Sequence, residues 1–256
     1  PAPPARAPHV WPRAPAAVTQ RRTPCQSNQS VNPCINTNGG YVPAGDVVPI
    51  TQVTSSALGV AVPPSLPVKS IKELIAYAKQ NPGKLNFGSS GNGSAPHMAA
   101  VLFQRVAGVE MVHVPFKGGG PASQSLLAGD IQLSFATPPS VLPMVQSGRL
   151  RALAVTTRAA SPSIPGLPGM MEAGLPGYDL TFWYGFFFPT GTPADAIRKM
   201  HAATNQVLQR PELKQMLAHE GTDATGSKTP EAFAAFLRED AKLWQQLARD
   251  TGAKVD

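Results

Sequence analysis

Glycine, hydroxyl and amide residues are concentrated in one short stretch, Phe87-Gly88-Ser89-Ser90-Gly91-Asn92-Gly93-Ser94-Ala95-Pro96-His97. A loop of this composition that opens a helix exposes backbone N–H groups and hydroxyls, which can bind an anion. Glycines such as Gly91 and Gly93 also permit positive φ and a close approach of the backbone to a ligand. An ordinary strand-to-helix turn has a similar composition, so the stretch alone leaves both interpretations open.

The surrounding pattern predicts the elements that position this loop. A strand is predicted to end at Phe87, and apolar residues at helical spacing predict a helix over 95–107. Two similar loops, 116–120 and 136–140, also follow predicted strands. Residues 70–156 therefore alternate helix and strand, which predicts a mainly parallel sheet flanked by helices. Because such sheets bind ligands at the carboxyl ends of their strands, we expect the three loops to form one site.

The remaining segments are predicted more simply. Val47 to Val62 is expected to be extended, and the capping box Ser70-Ile71-Lys72-Glu73 predicts a helix that ends near Asn81. The apolar run Leu180 to Phe188 predicts a strand. Three helices are predicted to follow, beginning after Thr192, Pro211 and Thr229. The aromatic residues of this region are expected to pack in the core, with Trp183 as the exception.

Composition narrows the class of protein. With 42% hydrophobic and 14% charged residues, the 256-residue chain is expected to be globular. The formal charge of +7 comes largely from residues 1–45, which contain four arginines and no acidic residue. The remainder has 18 basic (22 minus 4) and 15 acidic residues, or +3. We therefore expect no nucleic-acid binding, and no apolar run is long enough to predict membrane insertion.

The N-terminal residues have a different texture. Residues 1–30 are rich in Pro, Ala and Arg and show no hydrophobic period, so no regular structure and no recognisable signal peptide is predicted there. Cys25 and Cys34 are the two cysteines of the chain. They could pair in an oxidising compartment, or they could be two incidental thiols.

An enzyme would be expected to carry a catalytic or cofactor-binding motif. Gly91-Asn92-Gly93-Ser94-Ala95 superficially resembles the turn that carries a hydrolase nucleophile, but the G-x-S-x-G register is not met. Ser94 and His97 are three residues apart at a helix start, which is a poor order for a catalytic triad. No Walker A lysine and no metal-ligand cluster is visible. We expect no catalytic residue, no metal and no cofactor, with a serine-dependent hydrolase as a remote alternative.

Longer motifs carry a resemblance to a known family. They are SLPVKSIKELIAYAKQNPGKLNFGSSGNGSAPHMAA, VHVPFKGGGPASQSLLAGDIQLSFATPPSVLP, GRLRALAVTT, EAGLPGYDLTFWYGFFFPTGTP and the closing TGAKVD. From about Pro49 to Asp256 the chain resembles the Bug family, the TctC-like extracytoplasmic solute receptors of tripartite tricarboxylate transporters. The resemblance implies an α/β fold of the type II periplasmic-binding-protein kind, with two lobes, a hinge and a solute between them.

The same resemblance implies a function, a place and partners. Family ligands are organic anions, mostly carboxylates, held by backbone N–H groups, hydroxyls and waters. The chain would therefore be a non-enzymatic, monomeric receptor in the periplasm. It would deliver a small carboxylate to the membrane permease subunits of a tripartite transporter.

The resemblance also implies which residues bind the ligand. Donors in the second lobe would be Ser89, Ser90, Asn92 and Ser94, with Gly91 and Gly93 between them, and the backbone N–H groups of Gly118 and Gly119. Ala136 and Thr137 occupy the loop where many relatives carry an Asp for an amino or hydroxyl group, and its absence argues against an α-amino-acid ligand. His97 could face the ligand or cap its own helix, and Lys117 could pair with a carboxylate or be solvated. Trp183 is expected where the first lobe returns to the cleft.

The implied domain organisation departs from the family at the N-terminus. Residues 46–65 and 179–256 would form the first lobe and residues 66–178 the second, while residues 1–45 would be a poorly ordered tail. The family's opening strand, Pro-Pro-Gly-Gly loop and Asn-Arg-Pro-Gly-rich segment are not found, and recognisable register begins near Val31. We therefore expect a truncated or atypical member with an incomplete first lobe. A degenerate product without a ligand is the alternative.

Overall fold

The computed structural model describes residues 23–26 and 47–251, which form two β-sheets with helices around them. The strands are β1 (Thr23–Gln26), β2 (Val47–Ser56), β3 (Gly59–Val62), β4 (Asn86–Ser89), β5 (Val112–Pro115), β6 (Leu133–Ala136), β7 (Arg151–Val155), β8 (Phe182–Pro189) and β9 (Asp223–Ala224). The helices are α1 (Ile71–Gln80), α2 (Ala95–Ala107), α3 (Gly119–Ala128), α4 (Pro138–Gln146), α5 (Ala194–Leu208), α6 (Pro211–His219) and α7 (Pro230–Thr251).

The helix boundaries follow local chemistry. Ser70 caps α1 by accepting a hydrogen bond from the N–H of Glu73, and the Glu73 carboxylate in turn accepts one from the N–H of Lys69. Helix α2 begins after Ser94 and ends at Gly108, whose φ of 61° is the left-handed geometry common at helix ends. The predicted span 95–107 is therefore confirmed.

The larger sheet is mixed. Its strand order is β5-β4-β6-β3-β7, with β4 parallel to both β5 and β6. Strand β3 runs antiparallel to β6 and to β7 and separates them. The prediction of a mainly parallel sheet from the alternating segment is confirmed for its own strands, and β3 adds the antiparallel member. The carboxyl ends of β4, β5 and β6 consequently lie at one edge, which is where the three predicted loops begin.

The smaller sheet is antiparallel, with the order β1-β8-β2-β9. Strand β8 lies at its centre and pairs along most of its length with β2, which carries bulges near Ile50 and Val53. The prediction of no regular structure in residues 1–30 is wrong for Thr23–Gln26, which form β1. This strand pairs with β8, so that Thr23 lies opposite Phe187 and Gln26 opposite Tyr184. A pairing with a strand some 160 residues away leaves no trace in local periodicity. Cys25 lies in β1, whereas Cys34 lies outside the described residues.

The chain passes between the sheets at Ala57 and Leu58. Strand β2 belongs to the small sheet and β3 to the large one, so the chain changes sheets within residues 46–65, the segment predicted to belong to the first lobe. The chain leaves the large sheet again after β7, at Thr156. This residue is bonded to the first passage, because the N–H of Leu58 donates to Thr156 Oγ1 (2.8 Å) and the N–H of Thr156 donates to the carbonyl of Leu58 (2.9 Å).

The core is divided in the same way as the sheets. The largest apolar cluster packs α1 and α2 against the large sheet, and a smaller cluster of Trp183, Phe187 and Phe233 lies on the small sheet. Helix α7 contributes to both, since Phe233 belongs to the smaller cluster and Trp244 to the larger. It therefore holds the two halves of the described chain together.

Candidate functional site

A cavity of ≈ 290 Å³ opens where the ends of β4 and β6 face strand β8 of the small sheet. Its lining residues come from the three predicted loops, the starts of three helices, strand β6 of the large sheet and strand β8 of the small sheet. They are Ser90, Ser94, Ala95, Pro96, Gly119, Ala122, Ser134, Phe135, Ala136, Thr137, Ser140, Phe182 and Tyr184. Five of the twelve residues predicted to bind the ligand are among them: Ser90, Ser94, Gly119, Ala136 and Thr137.

The first loop brings α2 to the cavity. Gly91 and Gly93 have φ of 125° and 70°, the positive values that the sequence predicted for this loop. Ser94 lies at the N-cap, where its hydroxyl donates to the carbonyl of Gly91 (2.6 Å) and accepts from the N–H of His97 (3.4 Å). The hydroxyl is thus bonded to backbone groups, and it makes no hydrogen bond to the His97 ring as a hydrolase nucleophile would.

Ser89 lies behind the loop and not in the cavity. It is fully buried at the end of β4, where its hydroxyl lies 2.6 Å from His113 Nε2 and accepts a hydrogen bond from the N–H of Gly91 (3.1 Å). It also donates to the carbonyl of Gly91. Ser89 therefore fixes the loop that carries Ser90, while Ser90 itself lines the cavity. Asn92 is exposed and lies outside the lining residues.

His97 supports the same loop from the helix side. Its Nδ1 accepts a hydrogen bond from the N–H of Gly93 (3.0 Å), so the ring ties the loop to α2 without lining the cavity. Burial, reinforced by the neighbouring His113, lowers the pKa of His97 to about 4. Burial also lowers the pKa of His113. Both rings are therefore neutral at pH 7. The sequence did not predict a role for His113, because nothing local distinguishes it from any half-buried strand residue.

Helices α3 and α4 also start at the cavity. Gly118 precedes α3 with a φ of 116°, and no side chain caps the helix, so its first N–H groups lack that partner. Thr137 and Ser140 lie at the start of α4, and Ser140 Oγ donates to the carbonyl of Thr137 (2.7 Å). Lys117 is exposed and lies outside the lining residues, which agrees with its reading as a solvated lysine.

Strand β8 supplies the opposite wall. Phe182 and Tyr184 lie on the same face of the strand, with ring centroids 4.9 Å apart and ring planes at 82°. Trp183 points the other way: it is fully buried, and its indole N–H donates to Asp240 (3.2 Å). Trp183, which was expected at the cleft, therefore does not line this cavity, whereas its strand neighbours Phe182 and Tyr184 do.

The cavity wall combines polar and apolar groups and carries no charge. Among the described residues that line it there is no Lys, Arg, His, Asp or Glu. Hydroxyls and helix N-termini are the groups available to a ligand, and the helix dipole makes that end of the cavity favourable for negative charge. Burial raises the pKa of Tyr184, so its phenol is neutral at pH 7.

The described part of the chain offers neither a metal site nor a membrane span. Within residues 23–26 and 47–251, no three His, Cys, Asp or Glu residues are grouped so that they could hold a metal ion. In the same ranges, no helix combines the length and apolarity needed to cross a bilayer.

Comparison of the sequence with known proteins gives consistent matches. The family model of the tripartite tricarboxylate transporter family receptor matches residues 17–253, beginning earlier than the expected start of register near Val31. BugT of Bordetella pertussis is 32% identical over 210 residues, which cover 82% of this chain and 64% of that protein. A UPF0065 protein of Pseudomonas sp. strain P51 is 33% identical over 79% of this chain and 60% of its own length. The chain thus spans less than two thirds of these two relatives.

Solved structures match over most of the chain. The R. palustris protein Rpa4515 with adipate is 30% identical, with a TM-score of 0.83 over 91% of this chain and 78% of that one. The periplasmic binding protein BugD is 27% identical, with a TM-score of 0.79 over 91% and 78%. These likenesses confirm the predicted α/β architecture of periplasmic binding proteins.

Proposed function

The chain belongs to the tripartite tricarboxylate transporter family of receptors, as its motifs predicted, and we propose that it binds a small organic carboxylate in the cavity between β8 and the ends of β4 and β6. The observation that carries this proposal is the convergence of three helix N-termini, those of α2, α3 and α4, on one uncharged cavity. A single helix N-terminus is common, whereas three that share one cavity direct three helix dipoles towards one point. Helix α3 also offers N–H groups that no side chain caps, while α4 begins with Pro138-Pro139 and contributes its dipole alone.

The hydroxyl groups complete the arrangement. Ser90, Thr137 and Ser140 come from two different loops and line the same cavity. Ser90 can donate one hydrogen bond to a carboxylate oxygen, and Thr137 and Ser140 can do so if their O–H groups turn away from Ser140 Oγ and the Thr137 carbonyl, all without bringing a counter-charge. Neutral donors and helix dipoles suit a receptor that must release its ligand, because a buried ion pair would be costly to separate.

We place the receptor in the periplasm and propose that it passes its ligand, as a monomer, to the membrane permease subunits of a tripartite transporter. Membership of the family and the likeness to BugD, a periplasmic binding protein, support this. The adipate held by the R. palustris relative supports a carboxylate as the ligand. Binding and release involve no chemical conversion, so the proposed role is not enzymatic.

A ligand screen by thermal unfolding tests the proposal. A carboxylate that binds only the native chain must raise the melting temperature, and at 100 times its Kd it adds about 2.7 kcal/mol of stability. We expect at least one member of a panel of mono-, di- and tricarboxylates to do so, and calorimetry to give one site per chain. A cooperative transition that no carboxylate shifts would contradict the proposal and favour a family member without a ligand.

A pair of serine variants locates the binding. Ser90→Ala removes a hydroxyl from the cavity wall and should weaken binding of the best carboxylate by about 10- to 150-fold, the value of one hydrogen bond to a charged group. Ser147→Ala is the matched control, since its exposed hydroxyl bonds the carbonyl of Met144 at the far end of α4. Equal affinities for the two variants would remove the proposed site from this cavity.

A further inference from the structure

The small sheet offers the cavity one polar side-chain group. Among the described residues of that sheet, Phe182 and Tyr184 line the cavity, and of the two only Tyr184 carries a hydrogen-bond donor. The backbone at Tyr184 faces Gln26 in β1 and Thr54 in β2, and backbone groups paired within a sheet do not point out of its face. A ligand can therefore be bonded from this wall through the Tyr184 hydroxyl.

The protein does not use this hydroxyl for its own structure. None of the hydrogen bonds between described residues involves it, and Tyr184 is 37% exposed. Tyr178 shows the contrasting arrangement, because its ring is fully buried and its hydroxyl donates to the carbonyl of Ala99 (2.9 Å). A largely buried phenol takes a partner of this kind from the protein, whereas the partner of Tyr184 can come from a molecule in the cavity.

The Tyr184 ring is positioned before any ligand arrives. It packs edge-on against the buried ring of Phe182, which restricts the two side-chain torsions of Tyr184. A donor held in this way loses little conformational freedom when it binds. Burial raises the pKa of Tyr184, so the hydroxyl keeps the proton that it would donate to an anionic oxygen.

We propose that Tyr184 is a ligand-binding residue, whose hydroxyl donates a hydrogen bond to an oxygen of the bound carboxylate from the small-sheet side of the cavity. This role rests on the proposed carboxylate-binding function. Ser90 and the starts of α2 and α3 hold the same molecule from the large-sheet side. The bound carboxylate then connects the two sheets of the receptor.

Calorimetric titration of the full chain with adipate, malate, citrate and benzoate tests this role in the wild type and in Tyr184→Phe. The variant keeps the ring and removes only the oxygen. We expect the tightest-binding of these probes to lose about tenfold or more in affinity. The melting temperature of the chain without a probe should not change, because the hydroxyl has no partner among the described residues.

Tyr77→Phe is the matched control, because Tyr77 is a half-buried tyrosine of α1 that does not line the cavity. Its affinity for the same probe should equal that of the wild type. Unchanged affinity in Tyr184→Phe, an equal loss in Tyr77→Phe, or a lower melting temperature of Tyr184→Phe would overturn the role of Tyr184. The receptor function would still stand on binding by the wild type, whereas failure of every probe to bind the wild type would overturn both.

A spectroscopic measurement observes the hydroxyl directly. The chain contains four tyrosines, so a full chain labelled with ¹³C at tyrosine Cζ gives one NMR signal for each. The signal that is missing from the Tyr184→Phe spectrum belongs to Tyr184. Because Cζ carries the hydroxyl, saturation with the tightest-binding probe should shift this signal. A signal that stays in place at saturation would overturn the assignment even if the affinity of Tyr184→Phe had fallen.

Discussion

The imidazole rings of His97 and His113 stack on each other, with centroids 3.9 Å apart and planes only 8° from parallel. Phe87 lies beside the pair, with its ring centroid 4.9 Å from that of His113 and 6.3 Å from that of His97. Two neutral rings can lie this close, whereas two imidazolium ions would repel each other in a half-buried setting. The stack stands directly behind the loop that carries Ser90 and Ser94, so its charge state determines how firmly that loop is held.

The stack predicts a loss of stability in mild acid. The folded pKa of His97 is about 4, below its ordinary value of 6.5. Between these values the unfolded chain binds more protons than the folded chain, so stability is complete above pH 6.5 and falls as the pH drops towards 4. After allowance for partial solvent exposure we expect the loss to be about 2 kcal/mol. Urea unfolding at a series of pH values measures it.

His97→Gln provides the control for this pH dependence. The Gln amide oxygen can accept a hydrogen bond from the N–H of Gly93, as His97 Nδ1 does, but the side chain does not titrate. Carboxylates elsewhere titrate equally in both proteins, so the difference between the two pH profiles isolates the histidine. Parallel profiles from pH 7 to pH 4 would show that His97 is not responsible.

Ser89→Ala is expected to act on the ligand from a distance. The change leaves the N–H of Gly91 without its acceptor beside a fully buried position, at a cost of about 1–3 kcal/mol. The loop then loses its fixed position, so affinity for the best carboxylate should fall although Ser89 does not line the cavity. Unfolding and calorimetry of Ser89→Ala and Ser147→Ala measure both effects, and equal stability of the two variants would contradict this role.

The sequence predicted which loops line the cavity better than it predicted which of their residues do. Strand ends and glycine loops are local features, and they led to the three loops that line the cavity. It is harder to predict which face of a strand a given side chain occupies, because side chains alternate and a shift of one residue reverses the face. Ser89 and Trp183 were both assigned to the cavity, yet Ser89 lies behind it and Trp183 lies on the opposite face of β8, with Ser90 and Tyr184 beside them in the cavity.

Long-range pairings account for the errors in the fold. Helix α2 was predicted with correct bounds because Ser94 and Gly108 mark its ends. Strand β3 carries no mark of its partners, and its place between β6 and β7 depends on residues more than 70 positions away. The same applies to β1 beside β8, which the Pro-rich composition of residues 1–30 concealed.

Trp183→Phe should separate the roles of neighbouring residues on β8. The change removes the hydrogen bond to Asp240 and part of the edge contact with Phe233, whose ring lies 5.7 Å away. We expect the free energy of unfolding to fall by about 2 kcal/mol and affinity for the best carboxylate to stay within twofold, since Trp183 does not line the cavity. Weaker binding with unchanged stability would return Trp183 to the site.

Gly185→Ala tests the packing of β8 on α7. Strand β8 carries Phe182 and Tyr184, which line the cavity. A Cβ at Gly185 would lie 2.4 Å from Cζ of Phe233 and 2.8 Å from its Cε1. Phe233 is 1% exposed, so its ring has no free space to enter. We expect a loss of about 1–3 kcal/mol in urea unfolding, as overpacked cores show. Gly120→Ala in α3 is the control, because a Cβ there meets nothing within 4 Å and should cost no stability. If the two variants unfold at the same urea concentration, Phe233 does not pack against Gly185 as described.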